Sequence, residues 1–226
     1  RGVWANADSC DTVGLVAQDV RDVALLASVM AQYPGLMLSA TDQDAPAAPT
    51  IGLCRTFEWD RADAHVHAAF EDCARRLSAA GARVVEIQLP EAFRGMLAAQ
   101  TAVVNFEMGR GFGDVLARHS QSIRKPLLER TLKGLSVSGE EYQRAQTLAR
   151  HCRQIFPDVL GSCDVLFVPA ATGEAPHGQD YSGDPAMNQV WTLMHGPCLS
   201  VRGGNGPNGL PLAMQVVGRI DDDART

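Results

Sequence analysis

Residues 50–87 limit the fold more than any other stretch, because two short apolar runs flank a single amphipathic helix. Thr50-Ile51-Gly52-Leu53-Cys54 reads as a short buried strand. Asp60 is placed to cap a helix reaching Ala80, in which Val66, Phe70, Cys73 and Leu77 recur at helical spacing and Gly81 supplies the stop. Arg83-Val84-Val85-Glu86-Ile87 then returns as a strand. This order predicts parallel pairing through a right-handed crossover, and so a sheet with helices packed on it.

The rest of the chain extends the pattern. Asp19 is a predicted N-cap, and Val23, Leu26 and Met30 share a helix face until Tyr33-Pro34-Gly35. Residues 36–49 read as a polar, proline-bearing loop. Residues 91–118 are rich in alanine and apolar side chains, with Gly109, Gly111 and Gly113 expected to loosen or break the helix. Ser138 followed by Glu141 forms a capping-box pattern for a helix running to about Phe156, where Pro157 disfavours continuation. Asp164–Val168 and Ala213–Val217 read as further strands. The expected fold is therefore α/β, a mixed twisted β-sheet flanked by helices.

Composition narrows the function classes. The 226 residues, 46% hydrophobic, suffice for one large domain with a sizeable core. A net charge of −6 without a Lys/Arg stripe argues against a nucleic-acid surface. No apolar run approaches the roughly 18–20 residues that span a bilayer, so no membrane partner is expected. Cys10, Cys54, Cys73, Cys152, Cys163 and Cys198 lack metal-type spacing, mostly sit in apolar contexts, and read as buried free thiols of a cytoplasmic protein rather than a disulfide framework. His65 and His67, two apart on a helix, point to different faces and read as surface residues. Gly109 to Gly113 has the wrong spacing for a dinucleotide loop, and a helix break beside a pocket is the favoured reading.

Three segments carry a family likeness. At the end stand His195-Gly196-Pro197-Cys198, a glycine-rich turn from Gly203 to Gly209, and Gly209-Leu210-Pro211 before Met214-Gln215-Val216-Val217-Gly218. Near the start stand Ser9-Cys10-Asp11-Thr12-Val13-Gly14 and Val20-Arg21-Asp22-Val23-Ala24, and between them lie Asp164-Val165-Leu166-Phe167-Val168-Pro169 and Ala175-Pro176. In this order they resemble the amidase signature family, downstream of its signature region. That resemblance implies carboxamide hydrolysis to carboxylate and ammonia or amine, through a serine acyl-enzyme. It also implies a nucleophilic serine, a second serine after a cis peptide, and a lysine.

The implied Gly-Ser-Ser-Gly loop and Gly-Ser-Ile-Arg element do not occur in these 226 residues. Gly134-Leu135-Ser136-Val137-Ser138-Gly139 fails the nucleophile-elbow spacing, and Lys125 and Lys133 sit in a polar helical stretch. No catalytic residue is therefore assigned, and the triad is expected upstream of Arg1. Residues 1–226 are read as the C-terminal portion of a single amidase domain, truncated at both ends. A non-catalytic pseudoenzyme or substrate-binding half-subunit is the alternative.

The resemblance makes a small-molecule amide the partner of the intact enzyme, implies no metal and no organic cofactor, and leaves a homo-oligomer open. Asn105, Phe106, His195, Gly204 and Asn205 are candidates for the pocket, although a partly buried structural histidine is the commoner reading of His195 and the family's mechanism calls for none. Asp11, Gly203, Gly206, Gly209 and Pro211 are candidates for supporting it. Asp11 either holds an arginine near the nucleophile or is a turn aspartate. Arg202 departs from the family's usual proline, adding a charge and removing a rigid φ.

Overall fold

The computed structural model describes residues 4–37 and 48–226. Arg1 and positions 38–47 of the expected 36–49 loop lie outside the described residues. Five strands form one mixed sheet: β1 (Thr50–Cys54), β2 (Arg83–Ile87), β3 (Val165–Pro169), β4 (Cys198–Asn205) and β5 (Pro211–Val217), in the order β2-β1-β3-β5-β4. The predicted parallel pair is present, with Ile51 opposite Val84 and Leu53 opposite Glu86. β3 joins β1 in parallel, whereas β5 runs antiparallel to both β3 and β4.

Seven α-helices complete the described residues: α1 (Val20–Ala31), α2 (Ala64–Ala79), α3 (Met96–Gly111), α4 (Gly113–His119), α5 (Lys125–Leu135), α6 (Gly139–Leu160) and α7 (Ala186–Met194). Successive strand side chains point to opposite faces, so each central strand feeds two cores. Ile51, Leu53, Phe167, Leu212 and Met214 pack with Val66, Phe70 and Cys73 of α2. Leu166, Val168, Val217 and Cys54 pack on the other side with α3, α6 and α7, through Val103, Ala149, Phe156 and Trp191. The expected α/β sheet with flanking helices is the observed one.

Three local expectations need correction. Asp63, not Asp60, precedes α2, because Trp59–Arg61 forms a 3-10 turn. That turn is held by the Trp59 ring stacked on His67, with centroids 4.2 Å apart, so His67 is half-buried while His65 is exposed. The helix after Ser138 does not stop at Phe156, since α6 carries Pro157 inside its last turn. Only one hydrogen bond is forfeited so near the end, and continuing places Leu160 fully in the core beside Phe156. The glycine stretch does break the helix, at Phe112: α3 runs to Gly111 and α4 begins at Gly113, so Gly109 itself is not the break.

Gly109 has a packing role instead. A Cβ there would collide with the Gly134 backbone, and a Cβ on Gly134 would strike the Asn105 carbonyl. The two glycines let α3 and α5 cross in backbone contact.

The α1 cap forms as predicted, with the Asp22 N–H donating to the Asp19 carboxylate at 3.0 Å. The apolar stripe of α1 is not buried, however. Leu25, Leu26, Val29 and Met30 are exposed, as are Val13 and Val16 before it. No helix among the described residues is long and apolar enough to cross a membrane.

One carboxylate joins strands far apart in sequence. The Thr50 N–H donates to Asp164 Oδ2 at 2.8 Å, the Asp164 N–H donates to the Thr50 carbonyl at 2.8 Å, and Arg225 pairs with the same carboxylate. The Thr50 N–H first, and Arg225 second, hold the Asp164 carboxyl below its usual range. A depressed carboxyl contributes stability above the unfolded-state value of about 3.9, and that contribution is lost as pH falls through the folded-state value. Asp164→Ala is therefore expected to lower unfolding stability by about 1–2 kcal/mol at neutral pH. In urea titrations the gap should close as pH drops below about 4. A gap that stays constant into acid would show that the charge contributes nothing.

Candidate functional site

Ser9 is the hub of a polar seam that ties the N-terminal segment to the helix layer. Its N–H donates to Glu107 Oε2 at 2.9 Å and its hydroxyl to Oε1 at 2.5 Å. Tyr142 donates to the same Oε1 at 2.9 Å, and the Gln146 amide reaches both Tyr142 and Ser9. His195 Nε2 donates to the Ser9 carbonyl at 2.8 Å. A carbonyl only accepts, so this nitrogen carries the proton. Burial first, and the Glu107 carboxylate second, push the Tyr142 phenol up.

Three sequence candidates meet at this seam. Phe106 stacks on Tyr142 with ring centroids 4.1 Å apart. His195 closes α7 in a left-handed conformation at φ 59°. The Asp11 carboxylate accepts the Asn6 and Ala7 N–H groups, which is the turn role rather than the arginine-holding one. Ser9 has a carboxylate on its hydroxyl but no imidazole, and the neighbouring Cys10 thiol is pushed up to about 11, chiefly by burial. Neither is an activated nucleophile.

Asn105 faces elsewhere. Residues two apart on a helix lie about 200° apart around it, so Glu107 meets the Ser9 seam while Asn105 turns toward α5. Asn105 is buried, and Arg130 Nε lies 3.5 Å from its Oδ1. It lines a groove of about 550 Å³ with Glu58, Arg94, Thr101, Lys133 and Glu141.

The glycine run from Gly203 to Gly209 builds the β4–β5 hairpin, which is irregular between Arg202 and Gly204. Gly203 packs tightly on Met214, and the Cys73 thiol donates to its carbonyl at 3.3 Å. The Arg202 guanidinium donates to Asn205 Oδ1, so the extra charge at position 202 is engaged within the hairpin itself. Gly209 adopts φ 81°, and Pro211 opens β5 opposite Asn205. Glu174 fills the turn, accepting from the Asn208 and Leu210 backbones.

Strand direction sorts these places. Pro169, the last residue of β3, pairs with Met214 near the start of β5, so the hairpin tip lies at the carboxyl end of β1 and β3. Glu58 and Arg94 follow the carboxyl ends of β1 and β2, which puts the Asn105 groove there as well. Open α/β sheets bind ligands outside their strand carboxyl ends. His195, just before β4, is at the opposite end from Gly204 and Asn205, so the structure does not bring those candidates together.

Ser138 caps α6, receiving the Glu141 N–H at 3.1 Å, and the Ser136 hydroxyl donates to the Lys133 carbonyl. Lys125 and Lys133 are both exposed, and Lys125 pairs with Glu129. Among the described residues, no three His, Cys, Asp or Glu side chains are grouped to hold a metal ion. Sequence reading missed Tyr142, Gln146 and Glu174. The i, i+4 spacing of Tyr142 and Gln146 is a usable signal, because it places both on one face of α6.

A family profile described as amidase matches residues 1–226, so the chain belongs to the amidase (amidase signature) family. A glutamyl-tRNA(Gln) amidotransferase subunit of Novosphingobium aromaticivorans is 27% identical over 98% of this chain and 53% of its own length. The protein of the same name from Trichlorobacter lovleyi is 28% identical over 96% of this chain and 53% of its own. A crystal structure of an amidase superposes with a TM-score of 0.80 at 24% identity, over 92% of this chain and 49% of that one. The corresponding glutamyl-tRNA(Gln) amidotransferase subunit of Thermotoga maritima does so at 0.72 and 19%, over 98% and 52%. These two structures show the shared fold. The chain spans about half the length of the relatives it matches.

The seam is testable without knowing a substrate. Glu107→Ala removes the acceptor of three donors that hold the N-terminal segment, and should cost about 2 kcal/mol of unfolding stability. Limited proteolysis should then cut faster within residues 4–37 than elsewhere. Unchanged cleavage of that segment would show that the seam does not hold it.

Proposed function

We propose that these residues are the later portion of one amidase domain, which cleaves carboxamides through a serine acyl-enzyme. In that reaction a serine attacks the amide carbonyl, ammonia or an amine leaves, and water releases the carboxylate. The serine, cis-serine and lysine are supplied from outside these 226 residues. One observation carries the reading: the family match runs through the whole chain, while both of its lysines are exposed and neither is a desolvated amine, Lys133 standing among the residues that line the Asn105 groove.

The chain's part is a wall of the substrate pocket. Asn105 and its groove, on the carboxyl side of the sheet, are assigned to the acyl side of the amide, with Gly204 and Asn205 on the hairpin at the same end of the sheet as a second part of the wall. Gly203, Gly206, Gly209 and Pro211 shape that hairpin. Asp11, Phe106 and His195 support the site through the Ser9 seam, a positioning role for Phe106 and His195 rather than direct contact with substrate.

A second reading is favoured by the relatives named as amidotransferase subunits: the amide nitrogen passes to an acceptor instead of being released. Release of free ammonia without any acceptor separates hydrolysis from transfer.

The test compares the 226-residue chain with a longer polypeptide of the same gene that includes the serine loop, using benzamide, acetamide and a fluorophosphonate. The chain alone should show neither turnover nor a covalent mass shift, and the longer polypeptide should show both. Lys125→Ala in the longer form should leave kcat within about twofold. Turnover or labelling by the 226-residue chain would overturn the assignment. A gene product with no serine loop, forming a stable monodisperse monomer, would favour a pseudoenzyme or half-subunit.

A further inference from the structure

Glu174 lies in the segment that leaves β3, and its side chain makes no use of solvent on the hairpin side. Oε1 accepts the Leu210 N–H at 2.9 Å and the Asn208 N–H at 3.1 Å, while Oε2 accepts the Asn208 side-chain amide at 2.8 Å. Three donors from one five-residue turn thus converge on one carboxylate, the arrangement by which backbone nests bind anions. The turn closes on itself around it, with the Gly206 N–H donating to the Leu210 carbonyl at 2.9 Å and the Gly209 N–H to the Gly206 carbonyl at 3.1 Å. A Cβ on Gly206 would collide with the Glu174 carboxyl group, so this placement of Glu174 needs glycine at 206.

The glutamate is itself fixed from behind. The Asp63 N–H donates to the Thr172 carbonyl at 2.8 Å, and Gly173 lies directly under the Asp63 carboxylate. Asp63, Glu174, His177, Pro207 and Asn208 line a cleft of about 290 Å³ at the carboxyl end of the parallel strands. The start of α2 therefore reaches the hairpin tip through this one side chain.

We propose that Glu174 is a positioning residue, a built-in carboxylate ligand that sets the shape of the Asn205–Pro211 hairpin and hence of the pocket wall. The first half of this stands on the hydrogen bonds alone; the second rests on the amidase reading. Hydrogen–deuterium exchange on the 226-residue chain tests the first. In Glu174→Ala, exchange at Asn208 and Leu210 should rise about tenfold or more, with β1 and β3 amides unchanged. Added acetate, which fits the vacated carboxylate position, should restore protection at those two amides. Glu174→Gln keeps the shape but turns an amide donor toward N–H groups, and should fall between the two.

Unchanged exchange in Glu174→Ala, or no recovery with acetate, overturns the ligand role. In an active longer polypeptide, Glu174→Ala should raise KM about tenfold with kcat within about threefold, and acetate should lower KM again. Equal KM for variant and parent, alongside a loosened hairpin, overturns the pocket-wall role. If no polypeptide containing this chain turns over an amide, the amidase reading fails, and the exchange result still decides whether Glu174 organises the hairpin.

Discussion

Strand β3 is the constraint on which the remaining architecture hangs. Leu166 and Val168 are fully buried on one side of it and Phe167 is 4% exposed on the other, so β3 tolerates no uncovered face. With β1 parallel on one flank and β5 antiparallel on the other, it converts a crossover unit into a mixed sheet. The reversal matters for function. An antiparallel β5 returns the β4–β5 hairpin to the end of the sheet where the parallel strands finish, so Pro207 and Asn208 share a cleft with Asp63.

Hydrophobic burial fixes the layers, but three carboxylates fix the loops. Glu107 holds Ser9 across 98 positions, Asp164 holds Thr50 across 114, and Glu174 holds Asn208 across 34. Each receives at least one backbone N–H, and hydrogen bonds to a charged acceptor are worth about twice a neutral pair. A hydrophobic contact leaves a loop free to slide over its neighbour, whereas N–H donors aimed at one carboxylate define its position in all directions. The glycine-rich 206–210 turn depends on such a carboxylate, since it has few side chains of its own to lock.

The layered fold was legible because it rests on periodicity. Val66, Phe70 and Cys73 announce α2, and the alternation of β1 and β2 survives any local error. Local pattern misleads where a tertiary contact outweighs local preference. Pro157 stays helical because Leu160 is buried one turn on, and Gly109 stays helical because α5 needs its missing Cβ. Leu26 and Met30 of α1 share the predicted face, yet periodicity says which residues face alike and not what covers them. The site was less legible. Asn105, Phe106 and His195 look equivalent in the sequence, but the helix turn separates Asn105 from Glu107 and the length of β4 separates His195 from Asn205.

Placing the chemistry outside these residues accords with how their groups are used. A general base or nucleophile needs a lone pair or proton left available for the substrate. Here the reactive-looking groups hold neighbouring segments: the Ser9 hydroxyl donates to Glu107, the His195 Nε2 proton goes to a backbone carbonyl, and the Glu174 carboxylate accepts from three N–H groups. The Cys10 and Cys54 thiols are raised to about 11 and about 12 by burial, too high to supply thiolate near neutral pH. Polar groups used in this way hold geometry. Much of an enzyme's advantage over solution lies in holding reactants within a few tenths of an ångström of the reacting arrangement. On the amidase reading, loops held by carboxylates and backbone-close glycines are suited to that task, with the serine and lysine delivered to the carboxyl edge of this sheet by residues beyond the 226.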